Sequence, residues 1–261
     1  GGPLTGGMRK FVDRMPGLGS SGANNLGQYI PVAIPEERIF SGQAADYYEI
    51  ALVEYEEKMH SDLPLTKLRG YVQVATTAVP GAYPLPGGKF GVDKPHYLGP
   101  IILSKGRVHG IANANPGDPG YPKPVRIKFY NLLPTGVGGD LFIPVDESIP
   151  GAGYGPALPG QAGSKFTQNR ATVHLHGNNT VWISDGTPPQ WITPANENTP
   201  YPKGVSVKNV PDMGTECDAD NSGCMTLFYT NAQSARLQFY HDHAHGITRL
   251  NVYAGEAAGY L

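Results

Sequence analysis

Two His-x-His pairs, His174–Leu175–His176 and His241–Asp242–His243, hold four of the eight histidines of this chain. Imidazole ligates copper, zinc, iron and nickel alike, so the pairs point to a transition metal. Alternate residues of an extended strand face the same side. Each pair therefore aims two rings at one point, and two such strands side by side supply four. One pair alone would equally suit two exposed residues on a strand edge. Two pairs, each inside a strand pattern and each beside Gly or Asp, favour metal over packing. His241 continues the alternation of Leu237 and Phe239, which predicts that it points inward, where a ring needs a partner or a metal. The set is all nitrogen, with no Cys, Asp or Glu at structural-zinc spacing. The residues themselves leave copper and zinc open.

The elements that must carry these rings read as strands. Residues 171–176 alternate, with Ala171, Val173 and Leu175 on one face and Thr172, His174 and His176 on the other. Residues 225–229 and 235–243 follow as two further strands. Upstream, residues 47–56 are rich in β-formers, and residues 125–130 alternate Val125, Ile127 and Phe129 with Arg126, Lys128 and Tyr130. Prolines and glycines break the chain between about 62 and 88, and a second Gly/Pro-rich loop between Gly136 and Gly163 is long enough to suggest a function. No helix of ordinary length and no internal repeat stands out. The expected class is all-β: one sandwich or barrel with long Gly/Pro-rich loops. Residues 1–45 read as an extended N-terminal arm, and 46–261 as the domain carrying the metal ligands.

Bulk properties narrow the field. The 261 residues carry a formal net charge of -2 and 16% charged residues, which leaves no basic footprint for nucleic acid. No apolar run approaches the roughly 20 residues that cross a bilayer. Thirty-five Gly and 25 Pro exclude a helical bundle, and 39% hydrophobic residues are too many for disorder. The opening Gly1–Gly2–Pro3–Leu4 has neither an initiator Met nor a signal peptide and reads as processed or trimmed. Cys217 and Cys224 are separated by six residues that include Gly223 and Asn221, a spacing that allows a small disulfide loop and favours an oxidising compartment over two free thiols. The same loop begins like a calcium loop, but Tyr229 stands where the closing Glu belongs, which argues against calcium.

His174–Leu175–His176–Gly177 and Tyr240–His241–Asp242–His243–Ala244, the latter followed by Thr248–Arg249–Leu250–Asn251–Val252–Tyr253–Ala254–Gly255, resemble the first, N-terminal cupredoxin domain of multicopper oxidases. The likeness is nearest to the bacterial spore-coat laccase and bilirubin oxidase branch. It extends upstream through Tyr47–Tyr48–Glu49, His60–Ser61–Asp62–Leu63–Pro64 and the segment from Val125 to Pro134, and so covers most of the chain from about residue 45. The resemblance implies a cupredoxin-like Greek-key β-sandwich.

It also implies roles. His174 would hold a type 2 copper, and His176, His241 and His243 would hold the paired type 3 coppers of a trinuclear cluster. Asp185, in Ser184–Asp185–Gly186, stands where the family has an acidic residue that assists proton delivery; read without the resemblance it is a turn residue. His245 stands where relatives often carry an apolar residue, and reads best as a surface ring. Such enzymes pass single electrons from a small reducing substrate through a type 1 copper to the cluster, where dioxygen becomes water. The type 1 ligands sit in a His-Cys-His run, and neither cysteine here has an adjacent His. The resemblance therefore places the type 1 copper and the other half of the cluster on C-terminal cupredoxin domains, in a second polypeptide or a parent chain; relatives also continue as a strand beyond residue 261. It makes an extracytoplasmic setting the expectation: secreted, periplasmic or on a cell or spore surface. The alternative is a copper-binding or storage domain without oxidase activity. Phenols, bilirubin and metal ions are equally open as electron donors.

Overall fold

The computed structural model describes residues 6–106, 115, 118, 120–156 and 163–261. Ten strands and one α-helix follow in order: β1 Glu36–Phe40, β2 Gln43–Glu57, β3 Thr66–Gln73, β4 Tyr83–Pro84, β5 Phe90–Gly91, β6 Val125–Asn131, β7 His174–His176, β8 Cys224–Tyr229, β9 Gln238–His241, α1 Thr248–Ala254 and β10 Ala257–Tyr260. The expected all-β class holds.

β2 organises the larger sheet. Its first half pairs antiparallel with β1 and its second half antiparallel with β3, while β6 runs parallel along its other edge and β8 closes the row beside β6. Its 15 residues lack clean alternation because both faces are covered. Tyr48, Ile50 and Leu52 enter the main core, and Ala51 and Val53 enter a second cluster with Val72, Val74, Leu85, Tyr130 and the two cysteines. The predicted strands at 47–56, 125–130 and 225–229 thus lie within β2, β6 and β8. β1 falls inside the stretch read as an arm; within that stretch Leu18 bridges Ile30, and Val32 bridges Ile101 of the body.

The smaller sheet has the order β10-β9-β7, antiparallel throughout. Leu175, Tyr240, Ala258 and Tyr260 turn one of its faces onto Tyr48, Ile50, Leu52, Ile127 and Phe129 of the larger sheet, forming a two-sheet sandwich around one core. Burial of this apolar face holds the smaller sheet in place and fixes which way its other face looks.

α1 was not visible in the sequence pattern: it is only seven residues long. Gly255, at φ 121°, ends it, and a Cβ there would meet the Arg69 carbonyl oxygen at 2.4 Å, so only glycine lets the chain turn back into β10. The Gly136–Gly163 loop lies partly outside the described residues.

Candidate metal centre

The register of the smaller sheet builds the site. In the β7–β9 pair, His174 lies opposite His241, Leu175 opposite Tyr240 and His176 opposite Phe239. Opposed residues of an antiparallel pair share a face. Because Leu175 and Tyr240 are buried in the core, His174, His176, Phe239 and His241 stand together on the outer face.

This corrects one expectation. Leu237 is 75% exposed and Phe239 44%, whereas Gln238 and Tyr240 are buried. The face of Leu237, Phe239 and His241 looks away from the core. His241 is nevertheless buried, and it is the surrounding rings that cover it rather than the sandwich interior.

One nitrogen from each of His174, His176 and His241 lies within 4.8 Å of the others. His176 Nδ1 and His241 Nε2 face each other at 3.3 Å. His243 completes the constellation from beyond the end of β9: its ring stacks on His174 with centroids 4.8 Å apart, and its Nδ1 is buried with no hydrogen-bond partner among the described residues. All four predicted histidines are therefore neighbours, three as a compact donor set and the fourth against it.

Backbone carbonyls aim two of the rings. His174 Nδ1 donates to the Asp185 carbonyl at 2.6 Å, and His241 Nδ1 to the Asp242 carbonyl at 2.6 Å. Each contact leaves the far nitrogen, Nε2, for a ligand and fixes the tautomer, the usual outer support of a metal-bound imidazole. His176 stacks on Phe239 at 4.7 Å. Burial pushes the His241 imidazole down to about 4, with the His174 ring adding to the effect, and burial likewise lowers His243. Both rings are neutral at pH 7, the form that binds metal.

Asp185 sits at the rim. Besides its carbonyl, its carboxylate Oδ1 lies 3.4 Å from His174 Nδ1, and the side chain is 40% exposed. The turn that carries it is pinned on both sides: Phe228 N–H donates to Ser184 Oγ at 2.9 Å, and Gly186 N–H to Gln190 Oε1 at 2.9 Å. Gly186 has φ 63°, and a Cβ there would lie 2.0 Å from the Val173 carbonyl oxygen. Glycine is what lets this turn touch the strand that bears His174.

The His245 ring is exposed, in line with the surface reading. Its carbonyl is used instead, accepting from the buried Arg170 guanidinium at 2.8 Å, which also donates to the Thr167 and Gly151 carbonyls. Sequence reasoning missed Phe239 as a partner of His176, although the His176–Phe239 register would have shown it. Cys217 and Cys224 form the expected disulfide. No described helix is long and apolar enough to cross a membrane.

The imidazole set suits a transition metal: nitrogens converge, and two of the rings have their outer nitrogens tied. The chain is 31% identical over 256 residues to a laccase of Bacillus stratosphericus, covering 97% of this chain and 33% of that protein. It is 28% identical over 255 residues to a laccase of Bacillus subtilis, with the same coverage. A solved multi-copper oxidase of Pediococcus acidilactici is 16% identical with a TM-score of 0.45, covering 88% of this chain and 28% of that one. No protein-family model matches. The chain spans about a third of the length of the curated relatives it matches.

Proposed function

The chain belongs to the multicopper oxidase family, and on that premise we propose that its four clustered histidines are copper ligands of an oxygen-reducing centre. In this reading the whole protein is a laccase-like oxidase. It couples one-electron oxidation of a small reducing substrate to the four-electron reduction of dioxygen to water. The observation that carries the reading is the register that sets His174 opposite His241 on an outward face, with His176 and His243 against them.

His174 would hold the type 2 copper, and His176, His241 and His243 the type 3 pair. Copper supplies a metal that cycles between two oxidation states, which zinc does not. The protein groups do the rest. The Asp185 and Asp242 carbonyls hold Nδ1 of His174 and His241, so Nε2 of each ring would be left for a metal. Burial favours the neutral form of His241 and His243, which leaves one ring nitrogen of each unprotonated for a metal. Phe239 shields one face of His176. The Asp185 carboxylate, part exposed and 3.4 Å from His174 Nδ1, would serve as a proton carrier between solvent and the site.

The residues from β1 to the end of β10 act as one cupredoxin-like domain, so the sheet takes in the last part of the stretch read as an arm. Its histidine face is open on one side: His176 is exposed, beside the part-exposed Phe239. Further cupredoxin domains of the same oxidase, present in the length that the relatives have and this chain does not span, would cover that face and bring the type 1 copper. The Cys217–Cys224 disulfide supports an extracytoplasmic setting.

Oxygen uptake tests the reading. With a phenolic electron donor, the copper-loaded protein together with its further domains should consume dioxygen, and the zinc-loaded form should not. Copper binding with no oxygen consumption by that complete assembly would contradict the oxidase and leave a copper-storage role.

A further inference from the structure

The residue between the second pair of histidines does more than separate them. Asp242 is fully buried, and its carboxylate accepts hydrogen bonds from three segments. Thr172 N–H donates to Oδ1 at 2.9 Å; Ala244 N–H and Asn251 Nδ2 donate to Oδ2 at 3.1 and 2.9 Å. Thr172 stands two residues before His174. Ala244 follows His243 directly. Asn251 lies in α1 and also donates from Nδ2 to the Arg170 carbonyl at 3.3 Å, two residues before Thr172. The contacts close a ring: first histidine pair, Asp242, second pair, α1, and back to the strand of the first pair.

The backbone of Asp242 belongs to the same frame. Its N–H donates to the Glu256 carbonyl at 3.1 Å, and its carbonyl holds His241 Nδ1. A buried carboxylate is costly unless donors surround it. Here the donors are neutral: Thr172 N–H, Ala244 N–H and the Asn251 amide, while the neighbouring Arg170 guanidinium is spent on the carbonyls of Thr167, Gly151 and His245. An apolar side chain could fill the space, but only a carboxylate offers enough lone-pair directions for three N–H groups to converge.

On this basis we propose that Asp242 is a positioning residue of the metal centre, fixing the separation between the strand of His174 and the His241–His243 turn. It touches no reacting atom. It acts through the placement of His241 and His243, and it rests on the copper reading given above.

The test uses the protein loaded with copper(II), in three forms: wild type, Asp242→Asn and Asn251→Ala. Copper affinity, the electron paramagnetic resonance spectrum and the melting temperature of the metal-free protein are measured for each. Asn keeps the volume and the acceptor for Thr172, but turns an NH₂ toward two donors. Asp242→Asn should weaken copper binding about 10- to 100-fold and alter the spectrum of the copper that remains, as loss of an outer partner of a metal ligand does. Asn251→Ala should shift both in the same direction by less, and it carries the test if Asp242→Asn fails to fold. Unchanged affinity and spectra in the variants, with only the melting temperature lowered, would overturn the positioning role and leave a structural one. Failure of the wild type itself to bind copper would overturn the metal-centre reading, and this inference with it.

Discussion

Two histidine-bearing regions of this molecule differ in how they satisfy a buried ring. His96 is only 2% exposed, pairs through Nδ1 with the Glu57 carboxylate and lies under the Tyr29 ring at 4.1 Å. Glu57 in turn accepts the Tyr97 N–H at 2.9 Å. That ring is fastened to its own fold by one acidic partner. At the other region rings meet rings: His174 and His241 have carbonyls behind them, and His176 and His243 stand against them. Burial alone therefore does not mark a ligand. Nitrogens that converge while their outer sides are tied do.

The contrast can be broken in order of expected effect. Replacing His241 by Ala should lower copper affinity and oxygen reduction by at least about 100-fold, since loss of a mere outer partner already costs 10- to 100-fold. The metal-free protein should keep its melting temperature within a few degrees; metal analysis with calorimetry checks both. Asp185→Asn leaves the carbonyl that holds His174 in place, so copper should stay. Oxygen reduction should slow by about 100-fold if the carboxylate carries protons, and an unchanged rate with intact copper would remove that role.

At the other region, Glu57→Ala strips His96 of its partner and should cost about 1–3 kcal/mol of stability, read by denaturant unfolding, with no change in copper content. A loss of copper there would mean that the two regions are coupled.

The smallest effect is a pH dependence in the metal-free protein. His241 titrates near 4 when folded, below its ordinary value of 6.5. Its contribution is full above about 6.5 and lost as pH falls toward 4. Burial pushes the Asp242 carboxyl the other way, up to about 6 from 3.8, so its contribution is greatest below 3.8 and lost as pH rises through 6. Between pH 4 and 6 these two oppose each other. His241→Ala removes one of them, so that variant should gain stability relative to the wild type as pH falls from 6 to 4. Parallel curves for the two proteins would contradict the assignment.

Much of this was legible from residue types. The alternation of residues 171–176 put both histidines on the face opposite Leu175, as observed, and the strands of β2, β6 and β8 were found within a few residues. What escaped has physical reasons. β3 carries Lys67, Arg69 and Gly70, poor strand signals, because Arg69 is fully buried and spends its guanidinium on the carbonyls of Gln168, Gly139 and Asp140. β10 is Ala- and Gly-rich and owes its form to pairing with β9. Alternation points His241 inward only if Leu237 and Phe239 face the core; both are apolar yet stand on the outer, ligand-bearing face. Alternation turns the Asp242 side chain away from the rings, which argues from sequence against its being their partner; its own partners, Thr172 and Asn251, lie 70 and nine residues away.

The central claim is that four rings converge to hold copper. It is tested most directly by metal analysis with electron paramagnetic resonance on the protein assembled with its further domains. The account predicts a full complement of copper with a type 2 signal, both lost together in His174→Ala. Bound zinc in place of copper, or a copper signal untouched by that substitution, would contradict it.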